Sequence, residues 1–415
     1  MKLLVIATGY LPQIFSENLC NAKLVYAFRE AGWEVDVISR KGDGVSYSAE
    51  WQDPWMPLKE GSYEISYQLG NPLSRMLDTL RCSLSMGVFP IEGIRWAKRA
   101  LSLALELHHS KSYDFVLTRS PSDIPHLVGY HLKKRTGIRW IANWNDPASH
   151  IWPKPYTYQM SYMRRMCLSH CTERCLNGAD VNTFPSPYLQ RWFEKHYPIV
   201  SKRPNMIIPH IAMSESIMPN LSPLTSENDE YMRMCHCGNL SSGRDPELLF
   251  GAMRELIDEG YSKLRLDIIG TVNEHIKHHI AKYGLEDEVK FLGSYPYMQT
   301  LQHMSSYNVL VLLEAIMDIG YYSPSKLTDY IQLNKPILAL SPAKGFVRDL
   351  AVKFGGMLAV DNADMSCIKT GLKQMYMAWQ SGQLNKFYSP LSAYSYISAP
   401  AVINMYSALF DRTSS

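Results

Sequence analysis

The sequence predicts an α/β protein made of two doubly wound, parallel-sheet halves. Three observations predict it. Short apolar runs alternate with amphipathic stretches along the whole chain, the signature of βαβ units. A polar stretch with prolines and asparagines, Ser214–Glu230, interrupts that alternation near the middle and has the composition of a linker. The length, 415 residues, suits two domains of ordinary size.

In the first half the apolar runs place strands at Lys2–Thr8, Glu34–Ser39, Asp114–Arg119, Ile138–Trp144, Asp180–Phe184 and Met206–His210. Helical spacing marks Ser16–Gly32, with a serine to cap it and a glycine to end it, then Ile91–His109, Asp123–Arg135 and Tyr158–Asn177. In the second half strands are expected at Met232–Cys237, Leu264–Ile269, Val289–Leu292, Val309–Leu313, Pro336–Leu340 and Met357–Val360. The helices there are Pro246–Glu259, Asn273–Tyr283, Met298–Ser305, Pro324–Leu333, Phe346–Phe354, Ala363–Ser381 and Pro400–Asp411. The expected division is a domain over 1–212, a linker over 213–230 and a domain over 231–397, with the last helix, about 398–415, packing back onto the first domain. Open parallel sheets bind ligands beyond the carboxyl ends of their strands. Two such halves are expected to face each other across a ligand cleft.

Composition narrows the function classes. Hydrophobic residues make up 46% and charged residues 20%, so the chain is globular rather than disordered. The net charge of +3 is too small for a dedicated nucleic-acid binder. It is unevenly spread: residues 1–212 hold 25 Lys and Arg against 18 Asp and Glu, and residues 213–415 hold 17 against 21. Eight cysteines do not make a disulfide scaffold at this length, the N-terminal apolar run is too short for a signal peptide, and no run reaches the ~20 apolar residues of a membrane helix. A soluble protein of the reducing cytoplasm is expected.

The most specific local signals lie in the second half. One strand ends in Gly238-Asn239-Leu240, and Ser241-Ser242-Gly243-Arg244-Asp245-Pro246 then opens a helix. Free N–H groups at a helix start suit a phosphate, and Arg244 adds a fixed cationic fork. Further on, Ser323 is a cap candidate, Pro324 suits the first helical position, and Ser325 and Lys326 follow in the first turn. A lysine there opposes the helix macrodipole, a conflict that a bound diphosphate removes. Asp329, one turn beyond Ser325, is placed to accept bonds from ribose hydroxyls.

These motifs resemble those of the GT-B glycosyltransferases, specifically glycosyltransferase family 4. The matching order is Gly238-Asn239-Leu240 with Arg244, Ile268-Ile269-Gly270, Val289-Lys290-Phe291-Leu292-Gly293, Pro324-Ser325-Lys326-Leu327 with Asp329-Tyr330, and Lys335-Pro336-Ile337-Leu338. The first half resembles the family's acceptor domain more loosely, through its opening strand, Ala31-Gly32-Trp33-Glu34-Val35, Trp140 to Pro147, and Ala179-Asp180-Val181-Asn182-Thr183. The sequence also departs from the family pattern. If Asp329 takes the second position of the usual glutamate pair, Tyr321 falls on the first, and Glu314 at a strand end is the candidate stand-in. Where the family carries a glycine pair, Gly9-Tyr10-Leu11-Pro12-Gln13 leads to Ser16-Glu17-Asn18.

The resemblance implies transfer of a sugar from a UDP- or GDP-sugar to a glycan or lipid-diphosphate acceptor, with retention and without a metal or other cofactor. Arg244 and Lys326 would neutralise the diphosphate leaving group, and Ser325 would donate to it. Gly238, Asn239, Gly270, Leu327 and Asp329 would line the donor site, and Gly293 with Ser294 would let the backbone approach the base. Asp146, Asn143 and Glu17 are the acceptor-side candidates, with Asp146 orienting the acceptor hydroxyl. The implied context is surface polysaccharide, lipopolysaccharide or glycolipid assembly at the cytoplasmic membrane face. Two other functions fit the same architecture: a sugar-nucleotide epimerase and a non-catalytic nucleotide- or glycan-binding subunit. A nicotinamide dehydrogenase is disfavoured because no G-x-G-x-x-G follows a strand.

Three other constellations have plainer readings. Cys167, Cys171 and Cys175, with His170 beside them, share a helix face and are expected in the core. Cys235 and Cys237 alternate onto one face of a strand and are also expected to be core. His275, His278 and His279 have the helical spacing to bind a metal, but a solvated helix face is the plainer reading. The basic amphipathic segment Arg75–His109 suits either an anionic membrane surface or ordinary helix packing.

Overall fold

The structure is a computed structural model, and it describes residues 1–41, 51–66, 71–219, 230–240 and 243–414. It divides into two compact units, Met1–Ser214 with Ala399–Ser415, and Glu215–Ser398. Most of the stretch read as a linker, 220–229, lies outside the described residues, as do Ser241 and Ser242.

The first unit runs β1 Lys2–Ala7, α1 Ser16–Glu30, β2 Glu34–Arg40, β3 Ser62–Ile65, α2 Pro72–Ser85, α3 Ile94–Lys111, β4 Phe115–Arg119, α4 Ile124–Thr136, β5 Arg139–Asn143, α5 Tyr162–Gly178, β6 Val181–Phe184, α6 Pro187–His196 and β7 Asn205–Ile207. Its strands form one parallel sheet in the order β3-β2-β1-β4-β5-β6-β7. Strand β1 is buried from Leu3 to Ala7, as a strand covered by helices on both faces must be. The core gathers Trp96, Trp140 and Trp144 with the aliphatic faces of α3 and α4.

The second unit runs β8 Met232–Cys237, α7 Glu247–Asp258, β9 Leu264–Ile269, α8 Glu274–Tyr283, β10 Val289–Gly293, α9 Tyr297–Ser305, β11 Val309–Leu313, α10 Ser325–Gln332, β12 Ile337–Ser341, α11 Phe346–Phe354, β13 Met357–Asp361, α12 Met365–Gln380, α13 Leu384–Phe387 and α14 Leu391–Ile397. Its six strands are parallel in the order β10-β9-β8-β11-β12-β13. Helix α12 lies on α7, with Leu372, Met375 and Tyr376 in one cluster with Leu249, Phe250, Met253 and Leu256. The last helix, α15 Ala399–Ser414, belongs to the first unit. There Tyr406 meets Phe28 at 5.2 Å, and Phe410 meets Phe115 at 4.2 Å, ring centre to ring centre.

In each sheet the chain reverses its direction of strand addition once, at β1/β4 and at β8/β11. Such reversals leave a crevice at the carboxyl ends of the two strands involved. In the second unit those ends carry Gly238 and Glu314. Among the described residues, no helix is long and apolar enough to cross a membrane.

Several expectations need correction. β3 and α2 had no counterpart in the sequence reading: β3 is an edge strand with one buried residue, and α2 turns most of its apolar residues outward. The short helices α6, α13 and α14 were also missed. Helix α10 starts at Ser325 with Pro324, not Ser323, in the cap position, and helix α1 is preceded by Phe15, not capped by Ser16. Of the cysteines expected in the core, Cys171, Cys175 and Cys235 are buried, whereas Cys167 and Cys237 are only partly so.

Candidate functional site

The second unit concentrates cationic groups and irregular backbone at its β8/β11 crevice. Gly238 follows β8 with φ +140°, and Gly270 follows β9 with φ +141°, a region L side chains rarely adopt. A β-carbon on Gly270 would press on the Gly238 carbonyl, and one on Gly238 would overlap the Lys326 ammonium. The loops after β8 and β9 are tied together. The Gly238 N–H donates to Ile269 O (2.6 Å), and the Thr271 N–H donates to Asn239 Oδ1 (3.0 Å). Asn239 therefore fixes loop geometry with its side-chain oxygen.

Helix α10 points an N-terminus without a capping side chain at this region. Lys326 lies in its first turn, where the positive end of the helix dipole already sits. Burial and the neighbouring Arg244 guanidinium push the Lys326 ammonium down to about 8, against smaller opposing effects from Cys237 and Asp329. Neither Arg244 nor Lys326 has an ion-pair partner among the described residues. His236, buried in β8, is held neutral with its pKa near 3 by burial and by Lys326, and its Nδ1 pairs with Val311 O (2.9 Å). The site thus has more positive charge than its own acids neutralise.

The acids nearby are committed elsewhere or pushed toward the neutral form. Asp329 is buried and accepts a hydrogen bond from the Tyr297 hydroxyl (2.8 Å). Glu314 follows β11, and burial lifts its carboxyl to about 7, opposed by Ser341, Arg244 and Arg348. Tyr330 anchors the helix to the strand by accepting from the Cys237 N–H (3.0 Å). Three further donor-site candidates have these surroundings. The Leu327 side chain is in the core and its N–H donates to Pro324 O, so it serves the helix rather than a ligand. Gly293 is exposed with φ +73° and its carbonyl accepts from the Gly270 N–H (2.8 Å), while Ser294 beside it is exposed. Arg348, unmarked in the sequence reading, sends Nε to Pro342 O and leaves a second guanidinium nitrogen buried without a partner.

The first unit has its own polar cluster at the carboxyl end of its sheet. Asn145 Nδ2 donates to Glu17 Oε1 (2.6 Å), and Arg119 lies 3.8 Å from the same oxygen. Arg119 Nε also donates to Asn21 Oδ1. Burial raises the Glu17 carboxyl to about 8, with Arg119 opposing and Asp146 adding to the rise. Glu17 and Asp146 are thus brought together. Asn143 adjoins this cluster: it is buried, donates to Thr183 Oγ1 (3.0 Å) and lines an internal space with Arg119, Asn145, His210 and Tyr406. Sequence reasoning passed over Asn145 and Arg119. The usable signal was a charged or amide residue directly at a strand's carboxyl end.

The His275/His278/His279 reading is also corrected. His278 and His275 are exposed, but His279 is buried and directs Nε2 at Asp245, 3.2 Å away.

No family model matches the chain, and no curated protein matches it. Solved structures do match over essentially the full length. Sucrose-phosphate synthase from Thermosynechococcus elongatus superposes with a TM-score of 0.70 at 16% identity, covering 99% of this chain and 98% of that one. Anabaena HepE in complex with UDP-glucose gives 0.66 at 13% identity, covering 99% and 100%. The lipopolysaccharide outer core galactosyltransferase WaaB, in its apo form, gives 0.62 at 15% identity, again covering 99% and 100%. The chain has the GT-B fold. Its two parallel sheets of seven and six strands are the two Rossmann-like domains of that architecture.

Proposed function

We propose that this GT-B protein is a glycosyltransferase that moves a sugar from a nucleoside-diphosphate sugar, with UDP or GDP as the carrier, to a hydroxyl of a glycan or lipid-linked acceptor. The observation that carries the reading is the pairing of Arg244 with Lys326 at the uncapped start of α10. Each cation opposes the other's charge, and neither has an ion-pair partner among the described residues. A diphosphate supplies the missing negative charge and accepts the free N–H groups of the helix. The fold adds support, since HepE, with the same architecture, has been seen with UDP and glucose.

In the proposed reaction the acceptor oxygen bonds to the anomeric carbon as the bond to the diphosphate oxygen breaks. The electron pair goes to that oxygen, where Lys326 and Arg244 stabilise it, and the acceptor proton passes to the departing diphosphate. Preplaced cations are most effective at the atom where charge develops. The acceptor attacks on the face that the diphosphate leaves, as the proton transfer to it requires, so this route retains configuration and needs no metal at the diphosphate. Glu17 and Asp146 orient the acceptor hydroxyl. The membrane face of surface-polysaccharide or glycolipid assembly is the proposed setting. An exposed apolar stripe on α2, among Arg75 and Arg81, supports contact with anionic lipid.

Thermal unfolding in the presence of UDP, GDP, ADP and their sugars tests the reading. A ligand at ~100 times its dissociation constant should add ~2.7 kcal/mol. Lys326→Ala and Arg244→Ala should each abolish the shift and the turnover while the protein stays folded. No shift with any nucleotide overturns the proposal.

A further inference from the structure

We propose that Asp245, His275 and His279 form a binding site for one divalent transition-metal ion of the zinc class. Asp245 ends the Arg244 segment that leads into α7, and the two histidines lie one turn apart on α8. His275 Nε2 is 3.2 Å from Asp245 Oδ2, and His279 Nε2 is 3.2 Å from Asp245 Oδ1. One ligand atom from each residue falls within 4.8 Å of the others. Ligand atoms about 2.0–2.1 Å from a tetrahedral zinc lie roughly 3.3 Å from one another, and Asp245 Oδ2 alone lies 3.2 Å from His275 Nε2 and 3.3 Å from His279 Nε2, the spacing one shared ion needs on the carboxylate side. Two imidazoles and one carboxylate suit zinc or cobalt, leaving a fourth position for water.

The hydrogen-bond inventory of His279 gives independent support. Its ring is buried, with 4% of its surface exposed. Nε2 faces Asp245, and Nδ1, which has no hydrogen-bond partner, lies 3.8 Å from Glu247 Oε1. A neutral imidazole has one N–H and one lone pair. Whichever nitrogen carries the proton, the other aims a lone pair at a carboxylate. A metal ion on Nε2 resolves this: Nδ1 keeps its hydrogen and turns it toward Glu247, the side from which carboxylates orient metal-bound histidines. Lys282 holds Glu247 from the other side. The competing solution is a proton on both nitrogens, with no ion.

The site is separate from the chemistry proposed above and does not depend on it. An ion there would pin the Gly243-Arg244-Asp245 segment to α8 and so fix the backbone that carries Arg244.

The full chain, without an affinity tag and freed of metal by dialysis against a chelator, is titrated with zinc chloride by calorimetry and with cobalt chloride by visible spectroscopy. One equivalent of each should bind, and cobalt should show the visible bands of a low-coordinate site. His275→Ala, an exposed position where folding is safe, and Asp245→Asn should each weaken binding at least tenfold. His278→Ala should leave it unchanged. Absence of stoichiometric binding by both ions overturns the proposal. So does binding that survives both His275→Ala and Asp245→Asn.

Discussion

Gly238 lies directly under the Lys326 ammonium, in the space a β-carbon would fill. The absence of a side chain after β8 and the presence of a lysine in the first turn of α10 are therefore one feature. Gly238→Ala adds a methyl group at φ +140° and displaces the ammonium. Strain of ~1–3 kcal/mol is expected from the backbone. Nucleoside-diphosphate affinity should fall at least tenfold by calorimetry, with the melting temperature lowered by several degrees. Unchanged affinity would separate the glycine from the anion site.

Lys326 predicts the pH dependence of binding. Its pKa is depressed to about 8, below that of an unfolded lysine. The free protein therefore loses the charge as pH rises through about 8, and nucleotide affinity should decline above that point. Because the bound diphosphate favours the ammonium, binding near pH 8 should take up a proton, detectable as a buffer-dependent heat. The stability sign is the reverse. Between pH 8 and the unfolded value the unfolded chain binds more protons, so the unliganded fold should gain stability as pH rises through that window. Lys326→Met should flatten both profiles.

Glu17 should govern the acceptor and leave the donor untouched. Its carboxyl is lifted to about 8, so the folded state holds a proton that the unfolded chain has lost. Stability from this group falls as pH rises from the ordinary carboxylate range through about 8. Glu17→Gln cannot ionise and should melt higher than the parent at pH 9. Its acceptor KM should rise severalfold, by the ~1 kcal/mol of one hydrogen bond from the protonated carboxyl, while nucleotide affinity stays unchanged. A loss of nucleotide affinity would refute the assignment.

The sheets and most of their helices are legible in the sequence because buried parallel strands are continuous apolar runs. All twelve expected strands form, with ends shifted by at most a few residues. β3 and α2 are not legible, since one is an edge strand and the other displays apolar residues without burying them. Arg244 and Lys326 are legible because a lysine opposing a helix dipole breaks a local rule. Asn145 and Arg119 are not, because their importance comes from partners far along the chain. Helical spacing shows that His275 and His279 share a face but cannot place Asp245 opposite them.

Glu314 offers a test of burial at the β11 end. Its carboxyl is raised to about 7, so at pH 8 the fold holds an ionised acid that burial disfavours. Folding stability from this group should fall as pH rises from the unfolded carboxylate range through about 7. Glu314→Gln should remove that slope and raise the melting temperature at pH 8 by roughly 2–4 °C, about the shift of 1 kcal/mol in a domain of this size. A variant that melts lower would show that the ionised form is held by Arg244 and Arg348 more strongly than burial opposes it.

Helix α2 carries the remaining prediction. Leu73, Met76, Leu77, Leu80 and Leu84 recur at helical spacing, and all are exposed, Leu73 by 63% and Leu84 by 82%. Phe89 is exposed just beyond the helix, and Arg75 and Arg81 are exposed on α2 itself. An apolar stripe flanked by arginine is suited to the interface of an anionic bilayer, where the side chains leave water and the cations meet headgroups. The full chain should co-sediment with vesicles containing phosphatidylglycerol at low salt and release as salt is raised. Leu77→Glu with Leu84→Glu should weaken binding at least tenfold without lowering the melting temperature, because neither side chain is part of the core. Binding that is insensitive to the pair would move the contact to another surface, and no binding to anionic vesicles would remove the membrane from the proposal.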